Sequence, residues 1–152
     1  YLMVKSIAQG FDFSVGYRRQ LLTFVYVKDL ASAVFDALES GVRRKSYLLT
    51  DGKTYTQSEF RSIVKHLLGK RFVVPVKAPL WIVGIVCAIA ERIAAAKGKA
   101  STLNRDKYKI LRQRNWTCDI TPAVNDFGYH PRYDLRQGLE ETIRWYRDNG
   151  WL

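Results

Sequence analysis

Apolar residues along this chain alternate between two periodicities. From Leu22 to Val27 the side chains are almost continuously apolar or β-branched, the pattern of a strand buried on both faces as in a parallel sheet. Leu30, Ala33, Val34, Ala37 and Leu38 then return at helical spacing, which predicts a helix ending near Gly41. Asp29 stands at the junction, where a short carboxylate suits the structural role of N-cap. The arrangement repeats. Ser46 to Thr50 reads as a second strand, Asp51 and Gly52 as a turn, and Thr56 with Glu59 as a capping box. That box opens a helix carried by Phe60, Ile63, Val64, Leu67 and Leu68 to Gly69.

The flanking segments follow the same logic. Residues 2 to 9 predict a short helix closed by Gly10. "RFVVPVKAP" holds Pro75, which confines it to an edge strand or an extended connector, and Pro79 suits the first turn of the long helix that follows. An extended segment is expected around Trp116 to Cys118, then a short helix capped by Thr121 with Pro122 at its first position. Asp134 and Gln137 form a second capping box, ahead of a helix with Leu135, Leu139, Ile143 and Tyr146 on one face, closed by Asn149 and Gly150. Strand-plus-helix units in succession predict an α/β fold in which a few short, mostly parallel strands pack with about five to six helices. One domain over the 152 residues is the expectation.

Charge changes the picture more than composition does. The chain holds 25 Lys and Arg against 14 Asp and Glu, a formal +11, and so favours anionic partners: phosphate, nucleic acid or acidic lipid. Between Arg92 and Arg114 there are eight basic residues and one acid, Asp106. The only long apolar run, Pro79 to Ala90, would be about 18 Å as a helix against a hydrocarbon core of about 30 Å, so it reads as a buried helix or a cleft wall and not as a membrane span. Cys87 and Cys118 lack metal spacing and read as reduced thiols of a cytoplasmic protein; His66 and His130 are too far apart for a local metal motif. No secretory signal opens the chain, whose first residues look like a chain entered partway through.

The ten glycines never fall in G-x-G-x-x-G or G-x-x-x-x-G-K spacing, so no phosphate-binding loop is encoded. Tyr1 and Lys5 form a Tyr-x-x-x-Lys pair, but Gly10 ends that helix too early and no cofactor loop precedes it, so the pair reads as coincidence. Catalytic, cofactor-binding and metal-ligating residues are therefore not expected in this chain. For substrate binding the candidates are Arg18 and Arg19, as bidentate forks for phosphate or carboxylate, Tyr26 beside Lys28, and Arg105 and Lys109 in the basic segment. Residues 97 to 114, with Lys107, Lys109, Arg112 and Arg114 beside Tyr108 and Trp116, also fit a nucleic-acid-binding module. The absence of an RNP-type motif or zinc finger weighs against that alternative.

Three stretches in order, "FVYVKDLASAVFDALES", "SYLLTDGKTYTQSEF" and "DFGYHPRYDLRQGLEETIRWYRDNGWL", resemble the C-terminal part of extended short-chain dehydrogenase/reductases, the NAD-dependent epimerase/dehydratase family. The resemblance implies a Rossmann-like enzyme whose N-terminal dinucleotide-binding domain lies outside this chain. It implies NAD or NADP in the intact enzyme and none bound here, hydride transfer on a nucleotide-sugar or related small-molecule alcohol, and an inactive fragment when alone; a homodimer is a further expectation. Two departures bear on substrate: Leu22 stands where sugar-nucleotide epimerases often carry a diphosphate-holding Arg, and the apolar helix from Pro79 to Ala96 resembles members acting on lipid or steroid-like alcohols.

Overall fold

A computed structural model describes residues 1–96 and 105–152. The chain divides into two compact units, the first formed by Tyr1–Gln20 with Lys70–Arg114 and the second by Leu21–Gly69 with Asn115–Leu152. Among the described residues there are seven helices and four short strands.

In the first unit, α1 (Leu2–Ala8) buries Val4 and Ile7 and ends at Gly10, whose positive φ lets the chain turn into β1 (Phe11–Val15). β1 pairs in parallel with β4 (Val74–Ala78), Phe11 opposite Val74 and Val15 opposite Ala78. Pro75 is tolerated because, among the described residues, this sheet has two strands and each keeps one unpaired edge. Pro79 then leads into α4 (Leu80–Ala96), whose Val83 N–H bonds back to the Pro79 carbonyl at 3.2 Å. α4 turns Cys87 inward and packs against α5 (Arg105–Arg112), where Gly84 leaves room for the Tyr108 ring: a Cβ there would stand 3.2 Å from it.

In the second unit, β2 (Leu21–Leu22) pairs antiparallel with β3 (Tyr55–Thr56), and Leu21 also bridges to Asn115. Of the buried parallel strand expected over Leu22 to Val27, only Leu22 joins a strand among the described residues, half-buried and in an antiparallel pair; Val27 already opens α2 (Val27–Glu39) and is exposed. Ser46 to Thr50 joins no ladder, yet Tyr47 and Leu49 pack on a core of Ala33, Ala123 and Tyr129, and the Tyr129 hydroxyl donates to the Thr50 carbonyl at 3.0 Å. α3 (Gln57–Leu67) carries the expected capping box between Thr56 and Glu59, worth about 1 kcal/mol for the cap. α6 (Thr121–Phe127) starts one residue past Ile120; Thr121 is its first residue and not its cap, and the Asp119 carboxylate accepts from the Thr121 N–H instead. α7 (Leu135–Asp148) has the expected Asp134–Gln137 capping box and buries Leu135, Gly138 and Ile143.

Asp29 is a correction as well. The N-cap of α2 is Tyr26, without a side-chain cap bond, and Asp29 lies inside the first turn, only 3% exposed. Its two carboxylate oxygens accept from the Arg132 and Tyr133 N–H groups, both at 3.0 Å. A residue expected to cap its own helix instead clips the segment that leads into α7.

Candidate functional site

A large concavity belongs to the first unit. β1 ends at Val15, and Gly16, at φ 74°, donates its N–H to the Ala78 carbonyl while passing close to Leu80. That turn delivers Tyr17 and Arg18 to a cavity of about 670 Å³ whose walls also include Trp81 from α4, Tyr108 and Arg112 from α5, and Arg114. Gln20 anchors the far wall by donating to the Gln113 carbonyl at 2.6 Å. Three guanidiniums and three aromatic rings meet there, and no carboxylate is among the lining side chains. Guanidinium forks suit phosphate or carboxylate, and the rings offer flat faces to a planar group.

The second unit holds a different cluster. The Tyr26 ring lies 4.7 Å from that of Tyr133, and its hydroxyl donates to Glu141 at 2.7 Å; the Lys28 ammonium pairs with the same Glu141 oxygen at 2.6 Å and sits over both rings. Burial first, then the hydrogen bond to the carboxylate, pushes the Tyr26 hydroxyl up to about 12. The bonds from Lys28 and Tyr26 hold Glu141 below the usual carboxylate range. On α7, Gly138 is the only residue type that fits beside Tyr26: a Cβ would come within 2.9 Å of the ring. A second set repeats the chemistry, with Lys45 and Tyr47 both donating to Asp126 and lowering its pKa. The cavity beside Tyr26 is only about 120 Å³, too small for more than a few atoms of ligand.

The proposed binding residues thus separate. Arg18 lines the large cavity; Arg19 is exposed and outside its lining; Lys109 is paired with Asp106 at 3.2 Å; Tyr26 is occupied within the second unit. Arg105 opens α5, and its side chain lies outside the described residues, as do residues 97–104 of the basic segment. Tyr17 and Trp81 were missed by sequence reasoning. The signal for Tyr17 is its place beside Arg18 just after a glycine; Trp81 gives none, being one apolar residue in an apolar helix. Lys5 stands over the Tyr1 ring at 5.4 Å, a cation–π contact. Both cysteines are free thiols, and no metal-binding cluster occurs among the described residues.

No protein-family model matches the chain. UDP-glucuronate 4-epimerase 6 of Arabidopsis thaliana is 26% identical over 96% of the chain and 29% of its own length. A dTDP-glucose 4,6-dehydratase of Actinoplanes is 24% identical over 97% of the chain and 38% of its own length. Among solved structures, DesIV, the dTDP-glucose 4,6-dehydratase of Streptomyces venezuelae determined with NAD bound, superposes with a TM-score of 0.69 at 20% identity, over 99% of this chain and 38% of that one. The chain spans less than half the length of the curated relatives it matches. In sequence the chain is thus similar to part of these nucleotide-sugar epimerases and dehydratases, and in fold it resembles the C-terminal part of an extended short-chain dehydrogenase/reductase enzyme.

Proposed function

We propose that this chain is the substrate-binding portion of an NAD-dependent epimerase or dehydratase that acts on a nucleotide-sugar in the cytoplasm. The observation that carries the reading is the first unit's cavity, where Arg18, Arg112 and Arg114 meet Tyr17, Trp81 and Tyr108. Guanidiniums would hold the diphosphate, and an aromatic face would take the base by stacking. Three cations without a lining acid favour such an anion over a neutral lipid or steroid alcohol, and a concave pocket suits a small ligand better than a nucleic-acid backbone.

The residues present do not fit the nicotinamide cofactor. Among the described residues, no connection from a strand to the following helix contains a glycine: Thr23 to Tyr26 link β2 to α2, β3 runs straight into α3, and Pro79 links β4 to α4. A pyrophosphate needs close approach to backbone N–H groups at such a turn. NAD and the hydride step are therefore assigned to a further portion of the polypeptide, and this chain alone would neither hold NAD nor turn over. The exposed apolar face of α2, with Val27, Leu30, Val34, Phe35 and Leu38, is a surface that such a portion would cover.

The test is turnover of dTDP- and UDP-linked sugars by the complete polypeptide. Arg112→Ala should raise KM roughly tenfold with kcat little changed, since the side chain would grip a remote diphosphate equally in ground and transition states. An unchanged KM would sink the assignment.

A further inference from the structure

α4 exposes a face that its own fold leaves bare. Trp81, Ile85, Ile89 and Ile93 recur every four residues and are between 51% and 66% exposed, with Ile82 and Val86 widening the stripe. The opposite side carries the packing, through Cys87 and through Gly84 beside Tyr108. At one end Trp81 borders the cavity proposed above for the substrate anion, whose Arg18, Arg112 and Arg114 are committed to that anion; near the other end Arg92 is exposed, as are Lys70, Arg71 and Lys77 elsewhere in the unit. The sequence of the first unit holds fourteen Lys and Arg against three acids, Asp12, Glu91 and Asp106, whereas the second balances eleven against eleven. All of the chain's formal +11 therefore belongs to the unit that bears the stripe.

We propose that α4 seats the first unit on an anionic lipid surface, its apolar stripe entering the headgroup boundary and exposed cations of the unit outside the substrate cavity, such as Arg92, pairing with lipid phosphates. Seventeen residues make a helix of about 25 Å, shorter than a hydrocarbon core of about 30 Å. No helix among the described residues is long and apolar enough to cross a membrane, so α4 lies on the surface and does not span it. Tryptophan favours that interface, and the arginine stems extend apolar surface while their heads stay wet. Charge decides the occupant: a neutral apolar partner would leave the cations uncompensated, and a nucleic acid would leave the isoleucines in water. The α2 face, in a unit of zero net charge, lacks this complement.

The experiment is co-sedimentation of the complete polypeptide with vesicles of phosphatidylcholine alone and of phosphatidylcholine mixed with phosphatidylglycerol. Binding is expected to the mixed vesicles and not to the neutral ones, and to weaken as salt is raised. Ile89→Glu should weaken it by about tenfold or more, and the milder pair Ile85→Ser with Ile89→Ser by several-fold. Phe72→Glu makes the same charge change on an exposed apolar residue off α4 and should leave binding in place. Absence of binding to mixed vesicles, whether because another part of the polypeptide covers α4 or because single-stranded DNA binds instead, overturns the proposal; so does equal loss from Phe72→Glu and Ile89→Glu. Turnover of soluble nucleotide-sugars is a separate readout, so failure of the docking and failure of the proposed activity are told apart.

Discussion

The two units use charge in opposite ways. In the second, acids are spent on the unit's own groups: Asp29 on two backbone N–H groups, Glu59 and Asp134 on capping boxes, Asp126 on Lys45 and Tyr47, Glu141 on Tyr26 and Lys28. Its formal charge is zero. The first unit has three acids for fourteen cations, and Arg18, Arg112 and Arg114 converge on a cavity without a carboxylate. Internal compensation suits a scaffold; uncompensated charge around a concavity suits the anionic substrate proposed for it.

Breaking the scaffold should cost most at Asp29. Asp29→Ala strands two N–H groups that a buried carboxylate now satisfies, and a loss of about 2–4 kcal/mol in unfolding free energy is expected, with Asp29→Asn intermediate; chemical denaturation measures both. Next is Gly138→Ala, which drives a methyl into the Tyr26 ring at a cost of about 1–3 kcal/mol, offset only in part by about 1 kcal/mol of better helix propensity.

Acidity should sharpen the contrast further. Asp126 and Glu141 have folded pKa values below their ordinary 3.8 and 4.5, so their contribution is complete above those values and is lost as pH falls through the lowered ones. The hydroxyls of Tyr26 and Tyr47, pushed up to about 12, contribute fully below their ordinary 10 and lose that contribution between 10 and 12. A denaturation midpoint followed against pH should decline at both ends, and Glu141→Gln should flatten the acid limb. The smallest effect is reserved for Lys109→Ala, which breaks an exposed ion pair with Asp106 and should move stability by less than about 0.5 kcal/mol.

What the sequence discloses follows the range of the interactions. Both capping boxes, the glycine stops at Gly10, Gly41 and Gly69, and the start of α4 after Pro79 are local and legible in the sequence. β1 was not anticipated, because its identity rests on a parallel ladder to a strand some sixty residues on, Phe11 opposite Val74. Leu22 to Val27 has strand composition, yet most of it finds no neighbouring strand within the described residues. Asp29 looked like a cap because the junction is visible locally, whereas the N–H groups it binds lie 103 and 104 residues away. The cavity was half legible: Arg18 announced itself as an anion fork, and Tyr108, Arg112 and Arg114 lay in the basic segment. Only the fold brings α4 and α5 together and adds Trp81 to them.

Titration of a nucleoside diphosphate into the complete polypeptide tests the central claim most directly, with one variant in each unit. Arg112→Ala should weaken binding by about tenfold to a hundredfold, the loss of a charge-assisted hydrogen bond of about 1.5–3 kcal/mol, while Lys28→Ala leaves it unchanged. Equal affinity for wild type and Arg112→Ala, or a loss confined to Lys28→Ala, would contradict the placement of the substrate anion in the first unit.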